Sequence, residues 1–262
     1  MDISIIIVNY KSKEKTLACL NAIKEADLDG LLYEIIVVDN ASEDDSGEVI
    51  KREYKEIKFI QSEKNSGMGS GNNLGIKTAQ AEFVLILNPD TIVKKDAIKI
   101  LYNYIKNNKQ AGIVGPKLLN SDGTLQYSCL RFPKFYTPIL RRTFLGRFAD
   151  RHINGFLMKD FNHDTIREVD WIMGSCLIIR KNILDKIKGG FDNRFFMYFE
   201  DTDLCRRAWQ AGFKVVYNPL ASAVHDHARA SAESPWYLFF LNKLSRAHIA
   251  SWIKYFYKWG MN

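Results

Sequence analysis

The chain has 262 residues, of which 47% are hydrophobic and 26% are charged, so its composition excludes a disordered protein and suits one large domain, or a domain with an appendage. Its net charge of +7 comes from two basic segments, residues 131–159 and 234–262, which suggest two contact surfaces for an anionic partner. The four cysteines are scattered and form no CxxC pair, which argues against a disulfide framework and a zinc site and favours a reducing compartment.

No targeting or membrane-spanning segment is predicted. The apolar run Ile3–Val8 is short, follows Asp2 and lacks the basic region that opens a signal peptide. No apolar run approaches the roughly 20 residues that a helix needs to cross a bilayer. We therefore expect a cytoplasmic protein.

The first ninety or so residues alternate β-branched runs with stretches of helical periodicity. The predicted strands are Ser4–Val8, Glu34–Val38, Ile57–Ile60 and Phe83–Leu87, and the predicted helices between the first three are Lys13–Lys24 and Gly47–Tyr54. This alternation predicts βαβ units, and thus a Rossmann-like α/β domain with a mostly parallel sheet flanked by helices. Ligands of such domains bind beyond the carboxyl ends of the strands.

Two aspartates follow predicted strands at that edge. Asp39 is a candidate for hydrogen-bonding a nucleoside, with a turn residue as the plainer interpretation. Asn88-Pro89-Asp90 follows the fourth strand, and Pro89 ends it, so Asp90 is placed at the same edge. A hard divalent cation shared with substrate phosphates prefers such a carboxylate, although an ordinary turn has the same sequence.

The segment 65–76, NSGMGSGNNLGI, is rich in glycine and opens a predicted helix. Its spacing is G-x-G-x-x-x-G and not the dinucleotide fingerprint, so a Rossmann oxidoreductase is only a weak alternative. A glycine-rich turn nevertheless lets the backbone approach a ligand closely.

The second half of the chain breaks the alternation. A helix is predicted over 96–108 and a short strand at residues 113–114, but the basic and aromatic segment 131–159 is typical of an insertion or lid. Strands are predicted again after residue 175, at Lys214–Tyr217 and at Ala221–His225. The last strand ends in His225-Asp226-His227, where two histidines around an aspartate are better candidate ligands than either alone.

The most informative stretch is Phe195–Trp209, in which Glu200, Asp201 and Asp203 follow an aromatic run. A carboxylate against aromatic surface is partly desolvated, and this tends to raise its pKa and make it a usable base near neutral pH. The alternative is that these residues belong to the first turn of a helix, with Asp201 as its N-cap.

Taken together, the motifs resemble the inverting family-2 glycosyltransferases of the GT-A fold up to about residue 232. The resemblance is carried by VNY, VVDNAS, NSGMGSGNNLGI, LNPD, GSCLIIR, GGFDNRFFMYFEDTDLCRRAWQAG and PLASAVHDH, which occur in the family's order. Within the family, RFP, VDWIMGS and FFMYFEDTDLC are most similar to rhamnosyltransferases that extend polyprenyl-diphosphate-linked sugars. This implies dTDP-L-rhamnose as the donor and a GlcNAc-diphospholipid as the acceptor, with a UDP-sugar donor as the alternative.

The resemblance also implies roles for individual residues. Asp39 corresponds to the base-contacting aspartate, Asp90 to a ligand of Mg²⁺ or Mn²⁺ in the place of the DxD motif, and Asp201 to the general base. His225 corresponds to the histidine of the metal site, although His227 is close enough to leave that choice open. The implied donor-binding residues are Val8, Tyr10, Asp39, Asn65, Gly67, Asn72, Asn88, Asp90, Trp171 and Gly174, and the implied acceptor-binding residues are Arg131, Glu200 and Asp201.

The C-terminal segment 234–262 is predicted to be a helix separate from a catalytic domain over 1–233. Lys243, Arg246, Lys254 and Lys258 share one arc of this helix. The opposite side collects Leu241, His248, Ile249, Trp252, Tyr255, Phe256 and Trp259. A basic face against a Trp-rich face predicts a helix on the surface of an anionic membrane, the alternative being that the apolar face packs onto the domain.

Two other classes of function are less consistent with the residues. A sugar-nucleotide nucleotidyltransferase should carry a basic glycine-rich loop after the first strand, where this chain has Asn9-Tyr10-Lys11-Ser12. A nucleic-acid binder would explain the net charge, but the acidic residues at the strand ends would repel phosphates unless a metal intervened. No nucleic-acid partner is therefore expected.

Overall fold

In the computed structural model, which describes residues 1–226 and 243–261, the chain forms a ten-stranded sheet with helices on both faces. The strands are β1 (Ile3–Asn9), β2 (Tyr33–Asp39), β3 (Lys58–Gln61), β4 (Phe83–Leu87), β5 (Thr91–Val93), β6 (Ala111–Leu119), β7 (Leu125–Gln126), β8 (Cys129–Leu130), β9 (Arg167–Glu168), β10 (Trp171–Ile172), β11 (Cys176–Arg180) and β12 (Lys214–His225). The sheet order is β3-β2-β1-β4-β11-β6-β12-β5, with β7 beside β6 and β9 beside β12, while β8 and β10 form a separate pair.

The helices fill the connections between these strands. They are α1 (Lys13–Lys24), α2 (Ser46–Glu53), α3 (Met68–Thr78), α4 (Ala97–Asn107), α5 (Thr137–Arg142), a 3₁₀ helix (Phe144–Phe148), α6 (Asp150–Phe156), α7 (Asn182–Lys186), α8 (Glu200–Gln210) and α9 (Lys243–Trp259). The predicted α/β fold is confirmed, and the strand Phe83–Leu87 and the helix Lys13–Lys24 have the predicted bounds.

The half of the sheet formed by β3, β2, β1 and β4 is parallel. Strands β1, β2 and β4 are buried on both faces over nearly their whole length, as their continuous apolar runs predict, whereas the edge strand β3 is only partly buried. Residues 3–9 of β1 align one to one with residues 33–39 of β2, so that Asn9 and Asp39 are neighbours at the carboxyl edge. Asp90 lies after β4 on the other side of β1, and the end of β1 therefore separates the two aspartates.

The other half of the sheet is mixed, which corrects the prediction of a mostly parallel sheet. Strand β11 runs antiparallel to both β4 and β6, and β5 runs antiparallel to β12. The chain enters β11 from the carboxyl edge through the long segment 120–175 and not through a crossover helix, so it returns in the opposite direction. The two strands predicted at 214–225 are one strand with a register shift between Asn218 and Ser222.

The glycines of helix α3 let it lie close to strand β1. A Cβ atom at Gly71 would stand 2.7 Å from Val8 Cγ1, and one at Gly75 would stand 2.5 Å from Ile6 Cγ2. At the start of the helix, Gly67 has a φ of +95°, and a Cβ there would collide with the Phe196 carbonyl. These glycines are therefore required by packing, independently of any ligand.

The apolar face of α9 lies against the protein, which corrects the prediction that it faces lipid. Tyr255 and Phe256 are buried in an aromatic cluster with Phe199. Trp252 Nε1 donates a hydrogen bond to the Phe135 carbonyl at 3.0 Å. The acidic-aromatic segment and the insertion thus supply the apolar surface that this helix covers.

Some of the predicted features fall outside the described residues, among them His227, Leu241 and the boundary between residues 233 and 234. Within the described ranges, no helix is long and apolar enough to cross a membrane. The four cysteines are all buried thiols, so the prediction of no disulfide framework is confirmed.

Candidate active site

Asp39 ends β2 in a network that engages both of its carboxylate oxygens. Its Oδ1 accepts a hydrogen bond from Asn9 Nδ2 at 2.6 Å, and its Oδ2 accepts from Gln61 Nε2 at 2.7 Å and from the Ser42 N–H at 3.0 Å. Asn9 and Gln61 end the strands on either side, so the parallel register assembles the network. Because Asp39 is buried, it shapes the turn after β2, and its contact with a nucleoside stays a prediction.

Asn40 connects this strand end to the glycine-rich loop. Its Nδ2 donates to Asn65 Oδ1 at 3.0 Å and to the Gly67 carbonyl at 3.2 Å. Asn65 Oδ1 also accepts from the Gly67 N–H at 3.0 Å, so the two implied donor-binding residues form one turn. No hydrogen bond from the described residues reaches the buried Oδ1 of Asn40, and a ligand with a donor group would satisfy it.

Asp90 and His225 face each other across neighbouring strands. His225, at the end of β12, pairs with Thr91, the residue after Asp90. The Oδ1 of Asp90 lies 3.4 Å from His225 Nε2. This oxygen is buried, and no hydrogen bond from the part of the chain that the structure describes reaches it.

The side chain of Gln126 orients the His225 ring. Gln126 Nε2 donates to Asn120 Oδ1 at 3.0 Å and to the His225 carbonyl at 3.4 Å, so the amide must direct its oxygen toward the ring. That oxygen lies 2.7 Å from His225 Nδ1, which therefore carries the proton. The other ring nitrogen, Nε2, lies toward Asp90, which is the orientation that a metal-ligating histidine requires.

These two side chains fit a hard divalent cation. A carboxylate oxygen and an imidazole nitrogen that face each other with lone pairs repel unless a cation or a proton lies between them. Within residues 1–226 and 243–261, three or more His, Cys, Asp or Glu side chains do not converge anywhere, so Asp90 and His225 are the ligands of this type that the described residues offer here. A bound diphosphate would supply further oxygens.

Asp201 lies in the first turn of α8 and is fixed by two backbone donors. Its Oδ2 accepts from the Gly174 N–H at 2.9 Å and its Oδ1 from the Thr202 N–H at 2.7 Å. Burial raises the pKa of Asp201 above its ordinary value, although the hydrogen bonds from Gly174 and Thr202 oppose the shift. Asp201 is not the N-cap of α8, because the helix begins at Glu200 after Phe199.

Glu200 is the second carboxyl group of this turn. Burial and the negative charge of Asp201 both raise the pKa of Glu200, so this group retains its proton at a higher pH than an ordinary glutamate. Its Oε2 is buried and receives no hydrogen bond from the described residues. Its methylene groups lie against Gly69, where a Cβ would stand 3.5 Å from Glu200 Cβ.

The backbone before these carboxyl groups is strained. Tyr198 and Phe199 have φ values of +69° and +66°, in the left-handed region that side chains with a Cβ rarely adopt. Such strain costs on the order of 1–3 kcal/mol per residue and persists only where the surroundings impose it. Here the Phe196 carbonyl is held by the Met68 N–H at 3.0 Å, and the ring of Phe199 packs on Tyr255.

The third carboxylate, Asp203, belongs to the protein interior. Its Oδ2 accepts from Arg207 Nε at 2.8 Å, and its Oδ1 accepts from Lys258 Nζ at 2.6 Å and from Trp259 Nε1 at 2.8 Å. Asp203 is fully buried, so these contacts neutralise a charge that the interior would otherwise reject. Its role is to hold α9 against α8.

A short turn connects the Asp90 pair to Asp201. The Asn88 N–H donates to the Ser175 carbonyl at 2.8 Å, and the next residue back, Gly174, contacts Asp201. A Cβ at Gly174 would stand 3.3 Å from Asp201 Cβ, so only a small residue fits there closely. The structure therefore brings together Asn88, Asp90, Gly174, Asp201 and His225 around one sheet edge.

The remaining implied site residues lie around this centre. Trp171 Nε1 donates to the Arg131 carbonyl at 2.8 Å, while the Arg131 side chain is exposed. Val8 is buried beneath Gly71, and Asn72 is buried within α3, so neither presents its side chain at the surface. Tyr10, by contrast, is exposed beyond the end of β1.

The sequence analysis missed Gln126 and Asn40 as site residues. Gln126 lies on the two-residue strand β7 in a region without clear periodicity, and nothing in its neighbours indicates that it reaches His225. Asn40 follows Asp39 directly, and its position at a strand end was a usable signal.

The chain is similar to known proteins along most of its length. Residues 4–187 match the model of Glycosyl transferase family 2. The low-salt glycan biosynthesis hexosyltransferase Agl10 of Haloferax volcanii is 30% identical over 250 residues, which cover 92% of this chain and 74% of that protein. The N-acetylglucosaminyl-diphospho-decaprenol L-rhamnosyltransferase of Mycobacterium tuberculosis is 28% identical over 77% of this chain and 69% of its own length.

The fold is shared with solved structures. The crystal structure of GalNAc-T7 with UDP, GalNAc and Mn²⁺ superposes with a TM-score of 0.65 at 14% identity. The match covers 87% of this chain and 44% of that chain, so this protein spans less than half the length of that neighbour. A family model that matches most of the chain, relatives along nearly its whole length and a shared fold lead to one conclusion: the chain belongs to Glycosyl transferase family 2 and is a glycosyltransferase.

Proposed function

We propose that the chain transfers L-rhamnose from dTDP-L-rhamnose to a lipid-diphosphate-linked saccharide of the GlcNAc type, in the synthesis of a bacterial surface polysaccharide. The observation that carries the proposal is the turn at Gly174-Ser175, which connects the Asp90–His225 pair to the buried carboxylate of Asp201. A relative whose name specifies L-rhamnosyl transfer to an N-acetylglucosaminyl-diphospholipid supports the choice of donor and acceptor.

Asp90 and His225 would hold the divalent cation, Mg²⁺ or Mn²⁺. When bound, the cation stabilises the negative charge that develops on the leaving nucleoside diphosphate. Gln126 keeps the His225 ring in the orientation and tautomer that binding requires. The donor would lie across the strand ends, with its nucleoside toward Asp39 and the loop at Asn65 and Gly67.

Asp201 would act as the general base. Its carboxylate is fixed by the Gly174 and Thr202 N–H groups, and burial raises its pKa, so it binds a proton more readily than an exposed aspartate. It removes the proton of the acceptor hydroxyl as that oxygen attacks the anomeric carbon from the side opposite the diphosphate. The configuration inverts, and a β-linked donor yields an α-rhamnoside.

The acceptor would bind between Glu200 and the beginning of the basic insertion. Arg131 is exposed there, and Trp171 holds its backbone, so its guanidinium is available to pair with the diphosphate of the acceptor. Glu200, which keeps its proton more readily than an ordinary glutamate, can donate a hydrogen bond to a sugar oxygen.

A membrane-bound acceptor supports a membrane-surface location on the cytoplasmic side, with α9 taking part through its outer face. This outer face is the side of α9 that stays exposed when the other side packs in the aromatic cluster. It includes Arg246, Ile253, Lys254 and Tyr257. Deleting α9 would unpack the domain, so the test uses Ile253→Ser with Tyr257→Ser in the full chain. Loss of binding to anionic vesicles with unchanged thermal unfolding supports this role, and unchanged vesicle binding excludes it.

The donor is tested with purified protein, a divalent cation and four nucleotide sugars, scored for slow donor hydrolysis. We expect dTDP-L-rhamnose to be hydrolysed faster than UDP-GlcNAc, UDP-glucose and GDP-mannose. Preference for a UDP-sugar would establish the alternative donor and exclude the rhamnosyl assignment. Activity undiminished by exhaustive chelation would exclude the role of the cation, as would a fully active Asp90→Ala variant.

A further inference from the structure

The 3₁₀ helix Phe144–Phe148 presents large apolar side chains to solvent. Phe144 is 71% exposed, Phe148 is 84% exposed and Leu145 is 43% exposed. Burying one phenylalanine side chain stabilises a protein by about 1.5–3 kcal/mol. The exposed side chains of this segment would gain such free energy only by contact with another surface. A cluster of exposed large apolar residues on a short helix marks a contact surface.

The segment is held in place by defined contacts. The Gly146 N–H donates to the Thr143 carbonyl at 3.2 Å, and the Ala149 N–H donates to the Gly146 carbonyl at 3.0 Å. Thr137 Oγ1 and His152 Nε2 lie 2.8 Å apart and connect α5 to α6, the two helices that flank the 3₁₀ helix in sequence. The phenylalanines are therefore displayed on a supported turn.

Basic residues flank the apolar ones in sequence. Residues 131–159 contain seven Lys and Arg against one Asp. Lys134, Arg147 and Arg151 are exposed near the 3₁₀ helix in sequence, and Asp150 is the one acidic residue of the segment. Aromatic residues that enter the headgroup layer and cations that pair with lipid phosphates are the features of a protein surface that binds an anionic bilayer.

The segment is also connected to the active site. It begins at Arg131, whose carbonyl accepts the Trp171 hydrogen bond, and the Phe132 N–H donates to Asp170 Oδ2 at 2.7 Å. Trp171 and Ile172 form β10, which leads directly to Gly174 and its contact with Asp201. A surface that binds this segment would thus be held at a fixed position relative to Asp201, the proposed general base.

We propose that the 3₁₀ helix Phe144–Phe148 is a membrane-contact site that inserts Phe144, Leu145 and Phe148 into the headgroup region of an anionic bilayer. It is separate from the outer face of α9, and two weak contacts together anchor a protein more firmly than either one. The proposal rests on the proposed function in one respect: a lipid-linked acceptor is reached in the plane of the membrane. It does not depend on the identity of the sugar.

The first test is sedimentation of the full chain with vesicles of phosphatidylglycerol and phosphatidylcholine. We expect Phe144→Ser with Phe148→Ser to lower the partition coefficient by at least about tenfold, because two aromatic side chains no longer enter the interface. The matched control is Leu32→Ser with Leu220→Ser, which changes side chains that are 67% and 65% exposed elsewhere on the surface. The control should bind as the parent does.

The second test separates charge from apolar insertion. Arg147→Gln with Arg151→Gln should weaken binding to anionic vesicles by about fivefold per residue at low salt, as expected for surface cations near anionic lipid. On pure phosphatidylcholine this variant should equal the parent. The phenylalanine variant should remain weaker than the parent at high salt, where screening removes the electrostatic contribution.

The third test reports insertion directly. The four native thiols are buried, so Phe148→Cys can be labelled selectively with an environment-sensitive dye. Its emission should shift to the blue with anionic vesicles, whereas a dye at Leu32→Cys should not change. No shift at residue 148 would overturn the proposal.

The outcomes also separate this proposal from the proposed function. Equal vesicle binding by the phenylalanine variant and the leucine control would overturn the membrane contact while leaving rhamnosyl transfer intact. A second outcome would also overturn it: the parent self-associates, the phenylalanine variant does not, and the two bind vesicles equally. The surface would then contact a second copy of the chain and not a membrane. Vesicle binding is measured without donor, and donor hydrolysis is measured without vesicles. A negative result for the membrane contact therefore does not affect the proposed rhamnosyl transfer, and the reverse also holds.

Discussion

The first turn of α8 carries two carboxylates on different faces, and the two have different partners. Asp201 and Asp203 are two residues apart, and helical geometry turns them about 200° from each other. Asp203 is neutralised by Arg207, Lys258 and Trp259 in the interior. Asp201 receives only backbone and hydroxyl hydrogen bonds and forms no ion pair with any described residue.

The difference teaches how structural and chemical carboxylates can be distinguished. A buried carboxylate whose oxygens are paired with cations serves as their counter-charge and stabilises the fold. A buried carboxylate without a cation keeps a raised pKa and can accept one. Composition alone would rank the two residues equally, whereas the partners of Asp203 assign it to stability and the surroundings of Asp201 support its proposed catalytic role.

The largest effect is expected from Asp201→Asn. The amide is nearly isosteric but cannot accept a proton, so kcat should fall by about two to four orders of magnitude. Donor affinity, measured by calorimetry, should be close to that of the parent. The comparison variant is Asp203→Asn, which should retain its activity per folded molecule. If Asp203→Asn were inactive and Asp201→Asn normal, the two roles would have to be exchanged.

The second effect concerns stability. Asp203→Asn leaves Arg207 without its buried counter-charge and leaves Lys258 with Asp192 alone, so the free energy of unfolding should fall by about 3 kcal/mol. Denaturant unfolding measures this loss. Asp185→Asn is the control, because Asp185 is exposed on α7 and should change stability by less than about 0.5 kcal/mol. Equal stability of the two variants would show that the Asp203 network does not hold α9.

The third effect concerns the proposed metal site. Gln126→Leu removes the acceptor that fixes His225 Nδ1–H, so the affinity for Mn²⁺ in the presence of nucleoside diphosphate should fall by about 10- to 100-fold. Titration calorimetry measures this without any turnover. Gln80→Leu, a change at an exposed glutamine, should leave the affinity unchanged. Metal affinity that is the same in both variants would exclude Gln126 as a positioning residue.

The smallest effect is expected from Glu200→Gln. Because the pKa of Glu200 is raised, its carboxyl group keeps a proton to higher pH than an ordinary glutamate, and the neutral amide imitates that form. At weakly acid pH the rate should therefore change by less than about tenfold, well below the loss expected for a general base. As pH rises through the pKa of Glu200, the parent gains a negative charge beside Asp201 and the variant does not.

The pH profile of kcat/KM checks this prediction. In its proposed role as general base, Asp201 must be ionised. Its pKa is raised above 3.8, so activity should fall with decreasing pH along a limb that lies above that value. This limb should persist in Glu200→Gln. If ionisation of Glu200 causes a further change in kcat/KM at higher pH, that change should be absent in Glu200→Gln. If the change remains in this variant, another group causes it.

Much of the site was predictable because strand ends can be located in the sequence. β-branched runs locate β1, β2 and β4, so the placement of Asp39 and Asp90 at one edge followed from the parallel alternation. The position of His225 followed in the same way from the end of the last apolar run. The general-base role of Asp201 came from family resemblance, since local sequence equally allowed an N-cap.

Other features depended on contacts between distant parts of the chain. Gln126 reaches His225 across 99 residues, and Lys258 reaches Asp203 across 55, and no local pattern encodes such pairs. The direction of β11 was likewise set by the path of the segment that precedes it.

The sequence by itself determined that α9 has one apolar and one basic face, because helical periodicity is a local property. Only the tertiary structure decided what covers the apolar face. A bilayer and a protein interior both remove apolar surface from water, so the same pattern satisfies either. Here the aromatic cluster around Phe199 and Tyr255 provides that cover, and Ile253 and Tyr257 on the outer face of α9 stay exposed.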